Sequence, residues 1–161
     1  MAKMIQEKHH RLPDEFYCGL KVVSLTACVK NRTSFFTTQD RFTIFEAMLL
    51  EALQRFKCGA EVYLFMPDHA HLLLRGESET TDILRVMRSF KQKTGFWLSR
   101  NHPSVQWQKD FYDHILRNDE AIEKHILYIV NNPVRKEIVA NWKEYRFKGS
   151  TMHNLDEWNS G

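Results

Sequence analysis

No run of about 18 apolar residues occurs in the 161-residue chain, so the sequence offers no membrane-spanning helix. Cysteine is scarce. Cys18, Cys28 and Cys58 are odd in number and lack C-x-x-C spacing, which argues against a disulfide framework or a thiolate zinc site. Reduced thiols, and a polar segment 1–11 without the apolar centre of a signal peptide, fit a cytoplasmic protein. No internal repeat, low-complexity tract or linker divides the chain. One domain over 1–161 is therefore expected, with a basic arm at 1–19 (Lys3, Lys8, His9, His10, Arg11) and a tail at 141–161 that holds Trp142, Tyr145 and Trp158. The net charge of +3 is too small to identify a partner by itself.

Hydrophobic spacing supplies the elements. Val23, Leu25, Ala27 and Val29 alternate with Val22, Ser24, Thr26 and Cys28, which predicts a strand over 21–29. A loop at 31–40 precedes a helix over 41–57, with Phe45, Met48, Leu49, Ala52, Leu53 and Phe56 on one stripe. Thr43 and Glu46 have capping-box spacing at its start, and Gly59 reads as a stop near its end. Strands over 61–66 and 69–75 flank the turn Pro67-Asp68. A second helix over 81–99 buries Ile83, Met87, Phe90, Thr94 and Trp97. A strand lies within 105–116. A third helix over 119–132 buries Ile122, Ile126, Ile129 and Val130 and is expected to stop before Pro133. The order β-α-β-β-α-β plus an extra helix predicts an α+β, ferredoxin-like or RRM-like antiparallel sheet with helices on one face and an additional C-terminal helix.

Chemistry concentrates in His69-Ala70-His71. Side chains alternate along a strand, so the two imidazoles share a face and can share one divalent cation, while Ala70, Leu72 and Leu74 face the opposite, apolar side. A catalytic metal site needs a third protein ligand and an open position. Tyr128 and Asn132 are one helical turn apart, with His125 beside them. If that helix packs beside the histidine strand, Asn132 can offer its amide oxygen to the metal and Tyr128 its phenol to a substrate, as a covalent nucleophile.

Met66-Pro67-Asp68-His69-Ala70-His71-Leu72-Leu73 and Tyr128-Ile129-Val130-Asn131-Asn132-Pro133-Val134 resemble the two signature segments of single-tyrosine HUH transposases. The similarity is greatest to the REP-associated tyrosine transposases. Ser89-Phe90-Lys91 and the stretch from Trp107 to Arg117 also resemble family segments, so the likeness runs from about Val22 to Val139. It implies a single-stranded DNA endonuclease and strand-transferase in which His69 and His71 bind Mg2+ or Mn2+. Tyr128 would form a 5′-phosphotyrosine link and free a 3′-hydroxyl. Insertion-sequence members usually carry glutamine four residues after the tyrosine. The shorter Asn132 requires a closer approach of the helix, or completion of the site by water or by His125. The REP-associated branch further implies a monomer, with a dimer whose tyrosine serves the partner's site as the other arrangement.

Between Arg85 and Lys109 no acidic residue occurs, while Arg85, Arg88, Lys91, Lys93, Arg100 and Lys109 are basic. Arg85, Arg88 and Lys91 form a ridge suited to phosphates, and Phe96, Trp97 and Trp107 could stack unpaired bases. His114, next to Asp113, is read as structural. Two other readings compete: a non-catalytic nucleic-acid binder with an RRM-like sheet, and a small zinc hydrolase, which lacks an obvious carboxylate base beside the histidines.

Overall fold

Period-two alternation on the central strand divides the molecule into two apolar layers, one on each face of a single sheet. The structure, a computed structural model, describes residues 13–158, so the basic residues from Lys3 to Arg11 lie outside the described residues. The elements are β1 (Val22–Cys28), α1 (Gln39–Arg55), β2 (Cys58–Met66), β3 (His69–Gly76), α2 (Ile83–Asn101), β4 (Tyr112–Leu116), α3 (Asp119–Val130), α4 (Asn132–Arg135) and β5 (Lys148–Gly149). The sheet order is β4-β1-β3-β2-β5, and every neighbouring pair is antiparallel. The expected α+β architecture is thus observed, with a fifth strand added.

Ala70, Leu72 and Leu74 of β3 join Val23, Leu25 and Ala27 of β1 in a core closed by α1 and α2. Leu73 joins Val62, Leu64 and Met66 of β2 in a second core, closed by Ile122, Ile126, Ile129 and Val130 of α3. The third helix therefore covers the face of the sheet opposite α1 and α2. Trp142, Tyr145 and Leu155 complete that layer, so residues 142–158 are structural cover and supply β5. The Tyr145 hydroxyl donates to the Phe65 carbonyl at 2.5 Å, pinning this segment to β2. At the other end, Asp14–Tyr17 forms a 3-10 turn, and buried Tyr17 donates to Asp113 at 3.0 Å.

Several boundaries depart from expectation for local reasons. Helix α1 starts at Gln39 because the Thr38 side chain accepts the Arg41 N–H at 3.2 Å; the Thr43–Glu46 capping box does not form. Glu46 instead accepts the Tyr63 hydroxyl at 2.5 Å. Gly59 lies inside β2, and the helix ends where Lys57 takes a positive φ of 54°. Asp82 caps α2 through the Leu84 N–H at 3.0 Å. After α3 the chain turns at Asn131 and resumes as α4, so Pro133 does not end the helical path. A proline in a first turn forfeits no hydrogen bond, and the Asn131 side chain donates back to the Leu127 carbonyl at 2.8 Å.

Candidate active site

Register places His69 opposite Cys28 on β1 and Met66 on β2, and His71 opposite Thr26 and Leu64. Directly paired residues share a face, so both imidazoles lie on the α3 side, as their spacing implies. His69 Nδ1 meets Asp68 Oδ1 at 2.7 Å, and His71 Nδ1 meets Thr26 Oγ1 at 3.2 Å. With those nitrogens carrying the protons, both Nε2 lone pairs face one point. They are 3.1 Å apart. Burial holds His71 well below the ordinary imidazole range, with His69 and His125 nearby adding to the effect. Burial also lowers His69, against the pull of Asp68. Two neutral acceptors this close repel unless a proton or a cation sits between them.

Arg32 Nε donates to Asp68 Oδ2 at 3.0 Å. Burial alone would raise the Asp68 carboxyl, but the Arg32 and His69 hydrogen bonds outweigh it and hold it below the usual range. Asp68 thus fixes the tautomer and orientation of His69, a common outer partner for a metal-ligating imidazole.

Asn132 closes the arrangement. It is buried, and its amide nitrogen lies 2.7 Å from His71 Nε2. Rotating the amide by 180° would bring its oxygen to that position, giving a set of two imidazoles and one amide oxygen. This set fits Mn2+, and Mg2+ with water or phosphate oxygens in the remaining positions. Among the described residues no group of three or more His, Cys, Asp or Glu is placed to hold a metal ion.

Tyr128 is 57% exposed, one turn before Asn132. Its ring is nearly parallel to that of His125, with centroids 6.0 Å apart and planes at 20°, and the Arg135 guanidinium lies 3.9 Å from its centroid. His125 bonds Ser24 at 2.8 Å and stacks on His114 at 5.6 Å. His125 therefore anchors α3 to β1. His114, assigned no contact by the sequence, is the first ring of this stack. Ser24 and Arg135 were not singled out; an ordinary serine on a strand and an arginine past a helix carry no signal of such contacts.

Residues 20–132 match the family described as IS200-like transposases. The chain belongs to that family. It is also similar to a Haemophilus influenzae protein assigned as a REP-associated tyrosine transposase, 24% identical over 131 residues, which cover 73% of this chain and 74% of the relative. Its fold matches that of a REP-associated tyrosine transposase solved bound to a REP hairpin, with TM-score 0.73, 19% identity and coverage of 98% of this chain and 87% of the other. A crystal structure from Deinococcus radiodurans assigned as a transposase gives TM-score 0.51 and 16% identity over 82% of this chain and 97% of the other.

The fold does not bring the basic helix ridge to the histidines. Helix α2 lies on the opposite face of the sheet. Lys91 donates to the carbonyls of Gln108 and Lys109 at 2.7 and 3.0 Å and so braces a loop. Arg88 is 3.8 Å from Asp14, and Arg85 lies over the Phe56 ring at 5.0 Å. Trp97 packs edge-on against Phe45, with centroids 5.6 Å apart, and Trp107 donates to Thr94 at 2.8 Å. These indoles pack on the aromatic core and stay partly exposed.

Proposed function

We propose that this chain is a metal-dependent endonuclease and strand-transferase of the single-tyrosine HUH kind. Its substrate is hairpin-forming single-stranded DNA such as a repetitive extragenic palindrome, and its intermediate is a 5′-phosphotyrosine on Tyr128. The observation that carries this reading is the convergence of His69, His71 and Asn132 one helical turn from an exposed tyrosine. Those three residues would hold Mg2+ or Mn2+, which supplies a Lewis acid for the oxygens of the scissile phosphate.

Tyr128 Oη forms a bond to phosphorus as the P–O3′ bond breaks. The phenol proton leaves to the water around the exposed ring, and the departing 3′ oxygen takes up a proton to become a hydroxyl. Attack by that 3′-hydroxyl reverses the step and rejoins the strand. Ser24 and His125 fix the helix that carries the nucleophile, and Arg135 holds the ring from outside. Asn132 reaches His71 within one chain, which supports a monomer with its own tyrosine in its own site. Free thiols and a DNA substrate suit the cytoplasm, and no helix among the described residues is long and apolar enough to cross a membrane.

A non-catalytic RRM-like binder needs an open sheet face on which bases stack. Here α3 and residues 142–158 cover that face. The test is incubation with hairpin DNA and Mn2+ followed by denaturing electrophoresis. Native protein should run as a protein–DNA adduct, and Tyr128→Phe should bind DNA without forming one. An adduct that persists in Tyr128→Phe rejects the nucleophile, and unchanged cleavage by His69→Ala rejects the metal site.

A further inference from the structure

Beside His69, on the side reached past the Pro67-Asp68 turn, lies a cleft of about 310 Å³. That is near the lower end of small-ligand pockets. Beside Asp68 and His69, it is lined by the apolar Met66, Pro67 and Ile138 and by the cations Arg32 and Lys136. Ile138 is a large aliphatic residue left 46% exposed. The reaction described above uses His69, Asp68 and, through Asp68, Arg32, and leaves the others without a role.

Left-handed backbone gathers around the same residues. Four non-glycine residues among those described have positive φ: Arg32 at 52° lines this cleft, and Asn31 at 62° and Glu137 at 59° are chain neighbours of residues that line it. For a residue with a bulky side chain that conformation carries a strain of order 1 kcal/mol, and such strain concentrates at functional sites. The 3-10 turn Lys30–Arg32 is held in place by the Lys30 N–H on the Gln106 carbonyl at 2.7 Å. Glu137 occupies the left-handed position after α4 where glycine is usual, with the Ile138 N–H closing on the Pro133 carbonyl at 2.8 Å. One strained turn brings Arg32 to the cleft, and the other brings Lys136 and Ile138. Asp68 takes Nε and Nη2 of Arg32, and Nη1 has the Cys28 sulfur at 3.7 Å, a weak partner.

Apolar side chains beside two cations suit a nucleotide, which offers a flat base and a phosphate. We propose that this cleft seats a nucleotide adjoining the scissile phosphate, its base against Ile138 and Pro67 and its phosphate against Lys136 and Arg32. The proposal rests on the transposase reading, and it assigns specificity for the bases next to the cut to the 32–34 and 136–138 turns.

The experiment measures binding without chemistry. Fluorescence anisotropy is recorded in EDTA with a labelled DNA hairpin carrying a single-stranded flank, and with versions bearing one abasic residue at each flank position in turn. Native protein is compared with Ile138→Ser and Lys136→Gln, and thermal melts confirm that these surface variants fold. At one flank position the abasic residue should weaken native binding about 5- to 20-fold. Ile138→Ser should weaken binding to intact DNA about as much. Combined, the two changes should cost no more than either alone, whereas at other positions the losses should multiply. Lys136→Gln should reduce the salt dependence by about one phosphate contact. Native affinity in Ile138→Ser, or multiplied losses at every position, would overturn the cleft assignment. Coupling observed with a protein that forms no adduct would keep the cleft and reject the transposase chemistry; adducts without coupling would do the reverse.

Discussion

Asp68→Asn separates the metal account from a merely structural reading of the histidine pair. The Asp68 carboxylate accepts from His69 Nδ1 at 2.7 Å and from Arg32 at 3.0 and 3.4 Å. An asparagine can turn its amide oxygen to the same N–H, so His69 keeps a neutral hydrogen bond. Charge-assisted bonds are about twice as strong as neutral ones, so roughly 1–1.5 kcal/mol of orientation and ligand basicity is lost. Arg32 Nη2, already 3.4 Å from His69 Nδ1, then lacks its counter-charge and opposes a cation at Nε2. Together these effects place the loss of Mn2+ affinity within about 10- to 100-fold. The assay is the Mn2+ dependence of adduct formation, paired with the rise in melting temperature that Mn2+ produces. Both midpoints should move to higher Mn2+, and saturating Mn2+ should restore most of the rate. An unmoved midpoint, or a rate that no Mn2+ concentration restores, would refute the reasoning.

Other outcomes follow from the same geometry. Leu73→Ala, in the layer beneath α3, should cost about 2–5 kcal/mol in urea unfolding, because the cavity lies between the sheet and the tyrosine helix. Trp97→Ala should lower stability by about 3 kcal/mol while the surviving folded protein binds hairpin DNA normally, since the indole packs on Phe45 and not on bases. Glu137→Gly should raise stability by about 1 kcal/mol, measured by chemical denaturation, by relieving the left-handed backbone. Burial lowers His69, His71 and His125, so below pH ~6.5 the unfolded chain binds more protons than the native one. Metal-free stability should therefore be complete above that pH and fall as the pH drops towards the folded-state values. Urea titrations at about pH 7.5 and about pH 5.5 read this slope, and His71→Gln should flatten it.

Period-two alternation was enough to put His69 and His71 on one face and Ala70, Leu72 and Leu74 on the other, because a strand leaves no alternative. Helical spacing likewise identified Ile122, Ile126, Ile129 and Val130 as the buried face of α3. Spacing carries no information on which side of a sheet that face will find, so the second apolar layer was not readable. Nor was β5, whose Lys148 and Gly149 are too few to show a period. Gly149 packs so closely on Tyr63 that an added Cβ would stand 2.3 Å from its hydroxyl, a constraint visible only in three dimensions. A basic ridge on α2 was readable as charge, but a count of charges does not reveal that Lys91 is spent on backbone carbonyls. The proposed role of Asn132 rests on family resemblance and i,i+4 spacing; its contact with His71 depends on the turn at Asn131.

The central claim is that Tyr128 becomes covalently joined to DNA at a site built from His69, His71 and Asn132. Native protein incubated with hairpin DNA and Mn2+, digested and analysed by mass spectrometry, tests it most directly. The account predicts that the tryptic peptide containing Tyr128 carries a nucleotide 5′-phosphate on the tyrosine. Cleaved DNA with a free 5′-phosphate and an unmodified Tyr128 peptide, or an adduct on another residue, would contradict it.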